Sequence, residues 1–208
     1  MPTITALLHT ENDALRLGRC LETLYPCDHI LVVDHGSRDS TVSIAREYGA
    51  SVISALPGAT PAYYLRSADT RETRISPLFE RDALQGSPHN ESYLKAALGA
   101  EGLNQRFPGF GGLGPGDPGW ILCLDPHESV SESLAASLYE WKSCAGGAPT
   151  APAFSVFLRE ETAEGWVQLP VAQTRLVPPD WNRWNGSFPL NDPSALVLSG
   201  ELLRFVFP

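Results

Sequence analysis

The first 54 residues alternate apolar strand-like runs with amphipathic helical ones at short spacing, and this constrains the fold more than any other feature of the chain. Thr3 to Leu8 is a short apolar run suited to a strand buried on both faces. From Glu11 to Leu24, Ala14, Leu15, Leu17, Leu21 and Leu24 recur at helical spacing, with Thr10 or Asn12 as the N-cap and Pro26 as the stop. HILVVD (residues 29–34) reads as a second strand. Ser40 to Tyr48 reads as a second amphipathic helix closed by Gly49, and Ser51 to Ser54 as a brief third strand. Strand, helix, strand, helix, strand at this spacing predicts a parallel sheet with right-handed crossovers.

The middle of the chain is less regular. Residues 55–89 mix proline, glycine and charge with little period, and residues 90–104 read as a helix. Residues 109–119 hold six glycines and read as a connector. They lead into a strand rather than a helix start, which is the wrong context for a phosphate cradle. Gly119 to Asp125 (GWILCLD) is the best strand of the second half. Pro126-His127-Glu128 follows it, then a helix over Ser131 to Lys142, with Ser129 and Glu132 at capping-box spacing. Beyond the linker CAGGAPTAP, Ala153–Leu158, Trp166–Leu169 and Gln173–Val177 read as short antiparallel strands. The predicted fold class is therefore α/β: a mainly parallel central sheet flanked by helices, with a small mixed or antiparallel C-terminal extension. A length of 208 residues is expected to form one domain, with 55–118 as a divergent insert-like region and 150–208 as the extension.

Charge narrows the partners. The net charge is −9 and the pI about 5.0, so no basic footprint exists for a nucleic-acid backbone or an anionic membrane surface. Carboxylates in such a chain can still hold a divalent metal that receives a phosphate. No apolar run approaches the ~18 residues of a membrane span. The N-terminal apolar run is broken by His9 and Glu11, unlike a signal peptide. The four cysteines, Cys20, Cys27, Cys123 and Cys144, have no metal-like spacing, and Cys123 inside an apolar run reads as a buried, reduced thiol. A cytoplasmic protein is expected.

In an open parallel sheet, ligands bind beyond the carboxyl ends of the strands. Three segments end there: His9 to Asp13, Asp34 to Asp39, and Asp125 to Glu128. Each of their acids also has a local role available, as helix cap or turn former. His9 and His35 adjoin this edge and read as local hydrogen-bonding residues. There is no Gly-x-Ser-x-Gly elbow for a serine hydrolase and no Gly-x-Gly-x-x-Gly for a dinucleotide dehydrogenase. A nucleotidyltransferase would want a glycine-rich, basic loop after the first strand, where this chain has HTENDALR.

ITALLHTENDALRLGRCLETL followed by HILVVDHGSRDSTVSIAREYGASVI resembles the N-terminal half of glycosyltransferase family 2 enzymes, which have the GT-A fold. GWILCLDPHESVSESL resembles their later strand, which commonly ends in Leu-Asp-Ala-Asp-Glu. The resemblance covers residues 3–54 and 119–142, is loose or absent over 55–118, and is weak after 150. It implies a nucleotide-binding part over 1–145 and an acceptor-side extension over 150–208. It further implies a nucleoside-diphosphate sugar as donor, bound near Thr10, Asn12, Asp34, Gly36, Ser37 and Asp125, and transfer to an acceptor hydroxyl with inversion. Asp34 would meet the base or ribose, with Gly36 and Ser37 shaping the turn. Asp39 matches a second acidic position and is expected to cap the following helix.

The chain departs from the pattern at the metal motif. Asp125 matches its first acid, but Pro126 and His127 stand where a small residue and the second Asp are usual. Oxygen ligands suit Mg²⁺ and Mn²⁺ best, while imidazole also binds Mn²⁺. A Mn²⁺ or Mg²⁺ site is expected from Asp125 with His127 or Glu128. The catalytic base is not assigned: Asp180, Asp192, Glu160 and Glu161 are the carboxylates available. Trp181 and Trp184 either stack on a sugar or pack in the core. The short C-terminal part leaves little room for an acceptor site, so a second copy or a partner chain is expected to contribute one. The alternative function is a binding or scaffold domain that kept the fold and lost metal and base.

Overall fold

The computed structural model describes residues 2–61, 63–65, 119–144 and 151–207. The readings made over 66–118, the helix at 90–104 and nearly all of the glycine-rich connector, lie outside these. In chain order the elements are β1 (Ile4–Thr10), α1 (Ala14–Glu22), β2 (His29–Asp34), α2 (Thr41–Glu47), β3 (Ser51–Ser54), β4 (Trp120–Leu124) and β5 (Glu128–Val130). Then follow α3 (Glu132–Cys144), β6 (Phe154–Thr162), β7 (Gly165–Gln168), β8 (Gln173–Val177), β9 (Trp184–Asn185), β10 (Phe188–Pro189) and β11 (Leu196–Arg204).

Among the described residues, nine strands form one sheet in the order β3-β2-β1-β4-β8-β6-β11-β5, with β7 added to β6. β3, β2, β1 and β4 run parallel, and β8 is antiparallel to both β4 and β6. β11 runs parallel to β6, and β5 antiparallel to β11. β9 and β10 make a separate two-stranded ladder. The fold is thus α/β, with a parallel half continued by mixed and antiparallel C-terminal strands.

Alternation along β1 explains why apolar residues occur on both of its faces. Ile4, Ala6 and Leu8 face a core layer with Leu17, Cys20 and Leu21 of α1 and Leu134, Ala135 and Leu138 of α3. Leu7 faces the other layer, with Leu31, Val33, Ile121, Cys123, Tyr64 and Trp181. Both faces of the strand are buried, as a parallel strand covered on two sides requires.

Two local expectations are corrected. α1 begins at Ala14 with Asp13 at its N-cap, not Thr10 or Asn12, because Asn12 turns the chain with φ 59°. A short polar side chain tolerates that left-handed conformation. The cap of α3 is Ser131 rather than Ser129: Leu134 N–H donates to Ser131 Oγ at 3.3 Å, while Ser129 lies within β5. The tail, to which sequence periodicity assigns no element, forms β11, a long strand between β6 and β5.

Candidate functional site

Register brings the three strand ends to one edge. Thr10 of β1 lies opposite Asp34 of β2, and Leu8 opposite Leu124 of β4, so Asp125 emerges beside the end of β1. The β2 end is a compact hydrogen-bonded turn. Asp34 Oδ2 accepts the N–H groups of Gly36 and Ser37, both at 3.1 Å, and Gly36 takes φ +89°, which favours glycine. Asn12 N–H donates to Ser37 Oγ at 2.9 Å, and Asn12 Oδ1 accepts Arg38 N–H at 2.8 Å. Thr10, Asn12, Asp34, Gly36 and Ser37 are therefore brought together. The buried Thr10 hydroxyl has no partner among the described residues.

Asp39 is a local cap, as its position suggested. Its carboxylate accepts the N–H of Thr41 at 3.0 Å, the Thr41 hydroxyl at 2.5 Å and Ala14 N–H at 3.1 Å. The Thr41 hydroxyl bond leads the causes that hold this carboxyl below its ordinary range. It joins the starts of α1 and α2.

The turn after β4 carries the second group. Asp125 Oδ1 accepts His127 N–H at 2.9 Å, and the half-exposed side chains face each other with Nδ1 3.8 Å from Oδ1. On the other side, His127 Nε2 lies 3.4 Å from Asp13 Oδ1. A carboxylate and an imidazole are a donor pair compatible with Mn²⁺, and both are open to a ligand.

Glu128 does not belong to that pair, which corrects the expectation that it is a metal ligand. It is 0% exposed and points into the molecule. Its Oε1 accepts Arg175 Nη2 at 2.9 Å and Arg204 Nη2 at 2.8 Å, and its Oε2 accepts Asp125 N–H at 3.0 Å. Arg175 is 2% exposed and sits 4.2 Å over the Phe188 ring. A buried charge needs such pairing, so Glu128 is committed to the arginines. Among the described residues no three His, Cys, Asp or Glu side chains are grouped to hold a metal.

His9 and His35 form a local pair, Nδ1 to Nε2 at 2.9 Å, with Tyr64 edge-on to His9. Burial first, then the neighbouring His35, lowers the His9 pKa to about 4. This leaves His9 neutral at physiological pH.

The C-terminal candidates divide. Trp181 is buried and donates from Nε1 to Arg183 O at 2.7 Å, and Trp184 Nε1 donates to Trp181 O at 2.9 Å. Trp181 is a packing residue. Asp192 accepts the Ser194 hydroxyl at 2.6 Å and its N–H at 2.8 Å, and also pairs with Arg183. The Ser194 bonds first, then Arg183, hold its pKa near about 2. So engaged, it is a poor proton acceptor. Glu160 and Glu161 lie towards the end of β6, which points to the same edge as β4; Glu160 Oε2 is 3.6 Å from Arg204 Nη1.

Asp13, Arg175 and Arg204 were not singled out from the sequence. Arg175 left a signal, a lone charge inside the short strand-like segment QTRLV, which needs a counter-charge if buried. Asp13 left none beyond being an acid at a helix start.

No family model matches the chain, and no curated protein sequence matches it. Among solved structures it is similar to glucosyl-3-phosphoglycerate synthase of Mycobacterium tuberculosis in complex with Mn²⁺, UDP and glucosyl-3-phosphoglycerate. The TM-score is 0.39 and the identity 14%, over 76% of this chain and 44% of that one. It is also similar to S. aureus TarS in complex with UDP-GlcNAc, with TM-score 0.37 and 13% identity over 77% and 34% of the two chains. A third similarity is to mannosyl-3-phosphoglycerate synthase of Rubrobacter xylanophilus, with TM-score 0.35 and 19% identity over 76% and 39%. The chain spans less than half the length of these proteins.

Proposed function

We propose that the chain binds a nucleoside-diphosphate sugar at the carboxyl edge of β1, β2 and β4 and transfers the sugar to an acceptor hydroxyl with inversion. One observation carries this reading: the Thr10–Asp34 rung and Asp125 share an edge, where an open parallel sheet takes its ligands. Asp34, oriented by the Gly36 and Ser37 amides, has lone pairs left for a base or ribose donor. Thr10 and Asn12 line the same corner. Asp125 and His127 would hold Mn²⁺ or Mg²⁺, which would supply positive charge beside the diphosphate. Charge developing on the departing diphosphate is what a cation held there offsets. The acceptor oxygen bonds to the anomeric carbon as the bond to the diphosphate breaks, and the hydroxyl proton passes to a base. With Asp192 engaged by Ser194 and Arg183, the candidates left for that role are Glu160, Glu161 and Asp180.

That engagement also favours a second reading, a nucleotide-binding domain without transferase chemistry. Titration calorimetry with UDP, GDP, dTDP and CDP, each with and without Mn²⁺, tests both. Turnover of the matching nucleotide sugar by wild type and Asp125→Asn then separates them. Metal-dependent binding of one nucleotide, with turnover lost in Asp125→Asn, is the expected result. Binding without turnover favours the binding domain. No binding of any nucleotide overturns both.

A further inference from the structure

His127 is held between two carboxylates that differ in what they are free to do. Asp125 Oδ1, 3.8 Å from the ring Nδ1, already accepts the backbone N–H of His127 at 2.9 Å. Asp13 instead uses Oδ2 to accept Glu11 N–H at 2.8 Å and presents Oδ1 to the ring Nε2 at 3.4 Å. Asp13 stands at the N-cap of α1, yet its side chain makes no capping hydrogen bond to that helix. Its backbone is fixed independently, because its N–H donates to Thr41 Oγ1 at 2.8 Å. The Glu11 amide thus holds one carboxylate oxygen, the tie to Thr41 fixes the backbone, and the free oxygen Oδ1 lies towards the imidazole.

A neutral imidazole has one N–H and one lone pair, and its hydrogen-bond partners decide which nitrogen carries the proton. We propose that Asp13 is a positioning residue for His127: its carboxylate takes the Nε2–H and leaves Nδ1 as the unprotonated nitrogen turned towards Asp125. A carboxylate behind an imidazole both orients the ring and raises its basicity as a ligand. The consequence rests on the function proposed above, since it makes Nδ1, rather than Nε2, the nitrogen that joins Asp125 in holding a divalent cation. The departure of this chain from a second aspartate is then a change of the whole unit, with the negative charge moved one shell back onto α1.

The test uses the full chain and two readouts. Nitrogen–proton correlation spectra of the histidine rings, at mildly alkaline pH and without metal, report the tautomer of His127. Wild type is expected to show the Nε2–H form alone, and Asp13→Ala a mixture of both tautomers. Asp13→Ser, which keeps an N-cap residue type and so guards against loss of α1, is expected to show the same mixture. Binding of Mn²⁺ alone, followed by electron paramagnetic resonance, should weaken about 10- to 100-fold in both variants, the range for loss of an outer carboxylate. A mixed tautomer in wild type, or an unchanged one in both folded variants, overturns the proposal. So does Mn²⁺ binding that wild type shows and both variants retain in full. If wild type fails to bind Mn²⁺, the cation reading falls while the spectra still decide whether Asp13 positions the ring.

Discussion

Asp125 and Glu128 stand three residues apart and meet opposite environments. Asp125 is half-exposed at the sheet edge, whereas Glu128 is enclosed with Arg175 and Arg204. Replacing Glu128 by Gln keeps the shape and the acceptor for Asp125 N–H but leaves two guanidinium groups without their carboxylate. Breaking one side of a buried ion pair costs about 3–5 kcal/mol, so Glu128→Gln should lower the unfolding free energy in urea by that order. A loss under about 1 kcal/mol would show that water screens the cluster. His9 gives a pH dependence. Its folded pKa of about 4 lies below the ordinary 6.5, so between those values the unfolded chain binds a proton that the folded one does not. Stability should therefore rise with pH across that window and fall as pH drops through it. Unfolding curves from pH 4 to 7 should flatten in His9→Gln.

Elements were legible where one period ran without interruption. β2, β3 and β8 have the bounds their sequences predict, since each is a short segment with β-branched or aliphatic residues closed by turn residues. β5 was hidden because ESV is three residues long and overlaps a plausible helix cap. β11 was hidden because its pairing with β6 shifts register between Val197 and Glu201 and half of its residues are polar or exposed. Gly200 sits in that irregularity with φ +93°, and a Cβ there would lie 2.2 Å from the backbone N of Leu134. The strand passes so close to α3 that Glu201 N–H shares the Ser131 hydroxyl with the helix cap. Gly200→Ala forces backbone to move as well as a strained φ, so it should lower stability by at least about 2 kcal/mol in urea unfolding. An unchanged midpoint would mean that the contact between β11 and α3 relaxes freely.

Across the molecule, the alternation of strands and helices in residues 3–54 determined the parallel half of the sheet, because a right-handed crossover leaves little topological choice. Double-sided burial of β1, β2 and β4 was likewise written in their predominantly apolar runs. The same alternation placed Thr10 and Asp34 at strand ends, and the apolar run GWILCLD placed Asp125 at another, so most of the candidate edge was legible in the sequence. Tertiary structure alone decided the rest. β8 inserts between β4 and β6, and β11 between β6 and β5, pairings between segments distant in sequence that local periodicity does not encode. Those pairings bring Arg175 and Arg204 onto Glu128 and turn it from a metal candidate into a buried counter-charge. Packing of α1 against the β4–β5 turn likewise sets Asp13 beside His127. Local sequence determines whether a residue favours strand, helix or turn. The partner of a charge depends instead on which groups share a desolvated volume, and only the folded chain defines that volume.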